Sequence, residues 1–92
     1  MEIKEGKGQL YIGEESNPDG HIVFEEVDAN TWEVTHTEVS ESLKGTGAGG
    51  KLVDAMADYA RKNDKKLLAS CSYANHKLKK GEAYQDVYKG EA

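Results

Sequence analysis

The sequence predicts an α+β fold, a mixed sheet with helices packed against it, in the order β-β-β-α-β-α. Two observations predict it. Three short runs rich in Val, Ile, Thr and aromatic residues occupy the first 39 positions, separated by turn residues. The hydrophobic period then switches to helical spacing, and a single short apolar strand follows that helix.

The first run is Gln9-Leu10-Tyr11-Ile12. Asn17-Pro18-Asp19-Gly20 reads as a turn, and His21 to Val27 forms the second strand. Asp28-Ala29-Asn30 turns the chain into the third, Thr31 to Val39. Its alternation places Trp32, Val34, His36 and Glu38 on one face and Glu33, Thr35, Thr37 and Val39 on the other. Connections this short make the three strands an antiparallel meander. From Gly47 to Asn63, Leu52, Val53, Met56, Tyr59 and Ala60 recur on one helical face, with Asp58 placed to pair with Lys62. Asn63-Asp64 ends that helix. Lys66 to Cys71 suits a buried strand reached by a crossover, and so parallel to a neighbour. A basic helix over Ala74 to Lys80 and a turn around Tyr84 to Val87 complete the chain.

At 92 residues the chain has room for one domain, residues 1–92. A domain of this size buries about two-thirds of its unfolded surface, so anything bound adds usefully to a modest stability. No apolar stretch approaches a membrane span and no signal-peptide pattern opens the chain, so the expected location is the cytoplasm. One cysteine excludes an internal disulfide, and the scattered histidines have no zinc-ligand spacing, so no metal is expected. The net charge of −5 is unevenly spread: residues 1–43 carry two lysines and eleven acids, residues 44–92 ten basic residues and six acids. The acidic front half repels polyanions, which argues against nucleic acid as a partner. The basic half can hold one compact anion, or simply be a solvated surface.

Lys44-Gly45-Thr46-Gly47-Ala48-Gly49-Gly50 is the most informative segment, with four glycines in six positions between a strand and a helix. Unpaired amides and the helix dipole make such a place an anion site, and glycine lets a phosphate approach the backbone. A tight strand-to-helix turn is the plainer explanation, although one or two glycines would suffice for it. Three phosphate-loop patterns overlap here. The dinucleotide pattern Gly45-x-Gly47-x-x-Gly50 needs a βαβ unit at the head of a larger sheet. The P-loop pattern Gly45-x-x-x-x-Gly50-Lys51 lacks the hydroxyl residue for magnesium, since Leu52 follows. A basic residue followed by Gly-x-Gly-x-Gly, met by Lys44 to Gly49, fits both the length and the element order.

In these residues the chain resembles the small, single-domain branch of the GNAT superfamily of acyl-CoA-dependent N-acetyltransferases. The resemblance runs from Thr31 to Val87 through His36-Thr37-Glu38-Val39, Leu43 to Gly49, Leu52-Val53, Tyr59-Ala60-Arg61, Cys71-Ser72-Tyr73 and Tyr84-Gln85-Asp86-Val87. It departs where that branch commonly has His-Pro or Asn-Pro before the last aromatic: Lys80-Gly81-Glu82-Ala83 stands there instead. The resemblance implies a minimal GNAT-like fold, and acetyl-CoA held with its pyrophosphate on the amides of Gly45, Thr46, Gly47, Ala48, Gly49 and Gly50. It implies Lys44 beside the phosphates and the pantetheine arm on the backbone edge at Glu38 and Val39. Asn75 and Lys80 are placed to reach the arm or the 3′-phosphate.

Acetyl transfer to an amine requires a neutral nitrogen, and an alkylamine with a reference pKa of about 10.4 must first lose its proton. His36 and Glu38, sharing a strand face by period, are the candidate bases. Cys71 would ordinarily be a small core residue; the resemblance implies that it lies near the thioester, as acyl acceptor or base. Tyr73 and Tyr84 are candidate proton donors to the departing thiolate, or packing aromatics. The expected function is acetyl transfer from acetyl-CoA to an amine, directly or through acetyl-Cys71. The rivals are a non-catalytic acyl-CoA sensor or carrier and, more distantly, a nucleotide-binding fragment. The acidic front half points to a cationic acceptor. Nothing decides the oligomeric state, for which a monomer is the default.

Overall fold

The computed structural model describes residues 2–92 and contains one six-stranded sheet in spatial order 1-2-3-4-5-6. The strands are β1 (Lys4–Gly6), β2 (Gln9–Glu14), β3 (Asn17–Asp28), β4 (Thr31–Val39), β5 (Lys66–Ala69) and β6 (Tyr88–Glu91). Helix α1 (Ala48–Lys62) joins β4 to β5, and α2 (Ser72–Lys80) lies between β5 and β6, with short 3-10 turns at Glu41–Leu43 and Glu82–Tyr84. β1 to β4 pair antiparallel in sequence order; β4–β5 and β5–β6 are parallel. The meander, the crossover helix and the parallel return are therefore as the sequence predicts.

Two edge strands are additions to that reading. β1 is three residues, Lys-Glu-Gly, and β6 reads Tyr-Lys-Gly-Glu, so neither carries the apolar alternation that marks a strand. The expected turn at Asn17–Gly20 lies instead within β3. The hairpin closes at Glu15–Ser16, and the register slips between Ile12 and Gly13, opposite Pro18 and Gly20. That leaves Asp19 as the extra residue of a bulge, where the missing N–H of Pro18 is tolerated.

One core lies between the sheet and the two helices. From α1, Ala48, Leu52, Val53, Met56, Ala57 and Ala60 are buried, the stripe that helical spacing anticipates. They meet Leu10, Ile12, Ile22, Val34 and Leu67 from the sheet, and Leu78 from α2. Trp32 packs against Phe24 at 4.8 Å and against Tyr59 of α1 at 5.3 Å. Asp58 pairs with Arg61 at 2.7 Å rather than with Lys62. Arg61 is the better placed partner because it also binds Asp86, at 2.6 Å, and so ties α1 to the turn before β6. The end of α1 is a Schellman turn: Asp64 takes φ +56°, and Lys65 N–H donates to the Ala60 carbonyl at 2.8 Å. α2 begins at Ser72, two residues earlier than expected, and packs beside α1, with Lys77 near Asp54 at 4.0 Å.

β4 departs from simple alternation. Val23 stands opposite His36 but Phe24 opposite Val34, so Thr35 is an inserted bulge residue. The bulge shifts the period by one. Trp32 and Val34 face the helices, and so, beyond the bulge, do Thr37 and Val39, opposite the core positions Ile22 and Gly20. His36 and Glu38 are thereby turned to the opposite face, away from Trp32 and Val34, and are exposed. The predicted grouping of those four residues is corrected on this ground. Among the described residues no helix is long and apolar enough to cross a membrane.

Candidate active site

The bulge also determines where β4 loses a partner. β5 pairs with Thr31 to Val34 and ends at Ala69, and the amides of Ser70 and Cys71 both donate to the Val34 carbonyl, at 3.0 and 3.2 Å. From Thr35 to Val39, β4 is bonded to β3 on one side only. The strands part, and a backbone edge is left facing a cleft.

Cys71 stands where they part. It is the residue before the first turn of α2, half-buried, and its thiol donates to Thr37 Oγ1 at 3.6 Å. The positive end of the α2 dipole lies at this point, favouring negative charge that develops on a sulfur there. Asn75, one turn on, donates its backbone N–H to the Cys71 carbonyl at 2.9 Å, and its side-chain oxygen accepts from the Tyr88 hydroxyl.

The glycine loop closes the far end of the cleft. Gly45 and Gly47 take φ of +82° and +81°, conformations that cost an L side chain about 1–2 kcal/mol. A Cβ at either would meet nothing within 4 Å, so the space above the loop is open. The amides of Gly45, Gly47, Ala48, Gly49 and Gly50 have no acceptor among the described residues, whereas that of Thr46 donates to Leu43 at 3.2 Å. These are the free first-turn donors of a helix, arranged as an anion cradle. The Thr46 hydroxyl donates to the Leu43 carbonyl at 2.5 Å, which leaves its donor engaged. Lys44 is paired with Glu41 at 2.8 Å on the surface.

α2 leans over this loop. A Cβ on Gly49 would strike the Tyr73 ring, and one on Gly50 would touch Lys77. Lys77 is held in its charged form chiefly by its contact with the Tyr84 hydroxyl. Burial raises the Tyr84 pKa, and its bond to Asp54 acts in the same direction, so it is a neutral donor at ordinary pH. Lys80 lines an open groove of about 500 Å3 with Tyr73, His76, Lys77 and Tyr84.

The sequence-predicted residues thus fall into two groups. Val39 and the backbone of Glu38 lie on the open edge of β4, with Cys71 and Asn75 at the start of α2 beside it. Gly45 to Gly50 lie at the loop and first turn of α1, while Lys44 pairs with Glu41 and Lys80 lines the groove along α2. The side chains of His36 and Glu38, paired at 3.8 Å, lie on the opposite face of β4, separated by the strand from the Cys71 thiol. Thr37 and Lys77 belong to the cleft but were not singled out by sequence. Lys77 follows Tyr73 at helical spacing, a signal that could have found it. Thr37 acquires its place only through the bulge.

Comparison with known proteins agrees with this geometry. A family profile described as GCN5-related N-acetyl-transferase matches residues 9–87. A GCN5-like N-acetyltransferase candidate from Staphylococcus aureus, solved in solution by NMR, is 46% identical with a TM-score of 0.81, over 99% of this chain and 90% of that one. A GNAT family acetyltransferase from Elizabethkingia anophelis, crystallised with acetyl-CoA bound, is 23% identical with a TM-score of 0.54, over 64% of this chain and 39% of that one. Ard1 from Thermoplasma volcanium is 19% identical with a TM-score of 0.53, over 63% of this chain and 39% of that one, so these two show the shared fold alone. A comparison with curated proteins gave no match. With a profile covering most of its length and a relative so similar across nearly all of it, the chain belongs to the GCN5-related N-acetyltransferase family.

Proposed function

We propose that residues 1–92 act as one acetyltransferase domain, moving the acetyl group of acetyl-CoA to an amine in the cleft beside β4. The observation that carries this is the unpaired edge of β4, which runs from the Cys71 thiol to a loop of free amides. An arm with amide groups can add to that edge as a strand would. The five steps from Val34 to Val39 span roughly 16 Å at about 3.3 Å per residue. In this reading the loop from Lys44 to Gly50 takes the pyrophosphate, and Glu38 and Val39 take the pantetheine through their backbone. Asn75 and Lys80 contact the rest, and the thioester comes to lie at the narrow end beside Cys71.

The amine nitrogen attacks the thioester carbonyl, the C–S bond breaks, and the sulfur leaves with its electron pair. Either the amine attacks directly, or the Cys71 thiolate takes the acetyl group first and yields it to the amine. Cys71 is the ionisable group in contact with β4 on the cleft side, through Thr37. His36 and Glu38, on the other face, can accept the amine proton only through water around the strand edge. The acidic strands favour a cationic acceptor, since a negative surface concentrates it. We read the protein as cytoplasmic and as a monomer.

The test is an amide-shift titration of labelled protein with acetyl-CoA, with intact mass measured on the same sample. Shifts centred on Glu38 to Gly50 are expected, and their absence refutes the cofactor site. An added acetyl group on Cys71 supports the covalent route; full transfer by Cys71→Ser rejects it. Binding with no transfer to any of a panel of polyamines and basic peptides would make the chain an acyl-CoA-binding module instead.

A further inference from the structure

The bare face of the sheet, opposite the helices, carries a second constellation. His21 on β3 stands directly across from Glu38 on β4, and Val23 across from His36, so the register brings together residues 15 and 17 positions apart in sequence. The His21 Nε2 lies 3.9 Å from Glu38 Oε1, the His36 Nε2 lies 3.8 Å from Glu38 Oε2, and all three ligand atoms fall within 4.8 Å of one another. The two rings meet edge to face with centroids 5.6 Å apart.

His21 is prepared for a ligand. Its Nδ1 is bonded at 3.0 Å to the side-chain oxygen of Gln9, an acceptor, which places the ring proton on Nδ1. Its Nε2 is then a bare lone pair, buried, without a hydrogen-bond partner, and aimed at a carboxylate. A buried lone pair facing a carboxylate is unfavourable unless a cation lies between them. Metal-bound histidines are oriented by the same kind of second bond from the far ring nitrogen.

We propose that His21, His36 and Glu38 form a three-ligand site for a divalent transition-metal ion of the zinc class, with water completing the coordination. Two imidazoles and one carboxylate are a nitrogen–oxygen set suited to such ions. Bonds of about 2.0–2.1 Å around a tetrahedral ion hold ligand atoms about 3.4 Å apart. Closing takes about half an ångström for each histidine–carboxylate pair and up to about 1.4 Å for the widest separation among the three. His36 and Glu38 can supply it, their side chains being 55% and 69% exposed, while His21 is the fixed point at 20%. His21 and Glu38 also line a hollow of about 260 Å3 beside Asp19 and Glu41, whose charge outweighs that of Lys44 and draws cations towards it. A bound ion ties β3 to β4 directly behind the cleft edge and occupies the lone pairs that a base on this face would need. This inference stands on its own residues and does not depend on acetyl transfer.

The experiment is titration of the metal-free protein with zinc chloride, followed by calorimetry, thermal melting and the ring 15N shifts of the histidines. One equivalent should bind with micromolar affinity or better, raise the melting temperature, and shift His21 and His36 but not His76. His36→Asn and Glu38→Gln, both at exposed positions, should each weaken binding at least tenfold with the fold intact. Cys71→Ala should leave it unchanged. Affinity no better than millimolar, binding that survives Glu38→Gln and His36→Asn, or binding that requires Cys71 or His76 would each overturn the proposal.

Discussion

β4 is one strand with two unlike halves. Thr31 to Val34 is bonded to β3 on one side and β5 on the other, and its Thr31, Trp32 and Val34 are buried. Thr35 to Val39 likewise mixes Thr, Glu and Val, yet it is bonded on one side only. One bulge residue separates them. The site is therefore made by withholding a strand partner, and the residues that do so differ little in type from those that build the core. Stability belongs to the first half and recognition to the second.

The largest expected break in that contrast is Trp32→Ala. Removing a ring packed between Phe24 and Tyr59 should cost about 3–5 kcal/mol, read by denaturant unfolding. The fraction still folded should bind acetyl-CoA as before. At the other end of the strand, Gly47→Val should cost only about 1–2 kcal/mol of stability, because φ there is +81°. It should nonetheless weaken acetyl-CoA binding at least tenfold by covering the free amides; wild-type affinity in a calorimetric titration would remove the loop from the site. Thr37→Val sharpens the comparison within the recognition half. Stability should change by about 0.5 kcal/mol or less, while alkylation of Cys71 slows several-fold as the thiol loses its hydroxyl neighbour.

The smallest effect concerns acid. The Arg61 guanidinium holds the Asp86 carboxyl below the usual aspartate range, first by their hydrogen bonds and then by charge. A carboxylate whose folded pKa is depressed stabilises the fold above its unfolded pKa, and loses that contribution as pH falls through the folded value. Acid unfolding should therefore include a small component below the usual aspartate range, which Asp86→Asn removes. Because the pair anchors α1 to the turn before β6 and lies far from the β4 cleft, acetyl-CoA affinity at neutral pH should not move.

What could be read from the sequence follows from what is local. The limits of β4, the helical stripe of α1, the glycine loop and the parallel return all rest on spacing within a few residues. β1 and β6 were illegible because a short edge strand is defined by backbone pairing, and Lys-Glu-Gly and Tyr-Lys-Gly-Glu leave no side-chain pattern. The bulge at Thr35 was illegible for a related reason: threonine fits a regular strand equally well, and only the register against β3 shows it. Missing it put His36 and Glu38 on the wrong face. The approach of Cys71 to Thr37, across 34 residues, came from crossover topology that the sequence predicts in kind but not in register.

The open edge of β4 has a consequence for the life of the protein in a crowded solution. Outer edges of sheets invite pairing with other chains, and here β1 and β6 are short and charged, which discourages it. The inner edge from Thr35 to Val39 is longer than either and carries one charge, Glu38, so it is less defended when the cleft is empty. Whatever fills the cleft also guards it, and at a ligand concentration one hundred times its dissociation constant adds about 2.7 kcal/mol to folding. Resistance to aggregation should then rise and fall with the supply of ligand, so that starvation for it shortens the protein's lifetime as well as stopping its work.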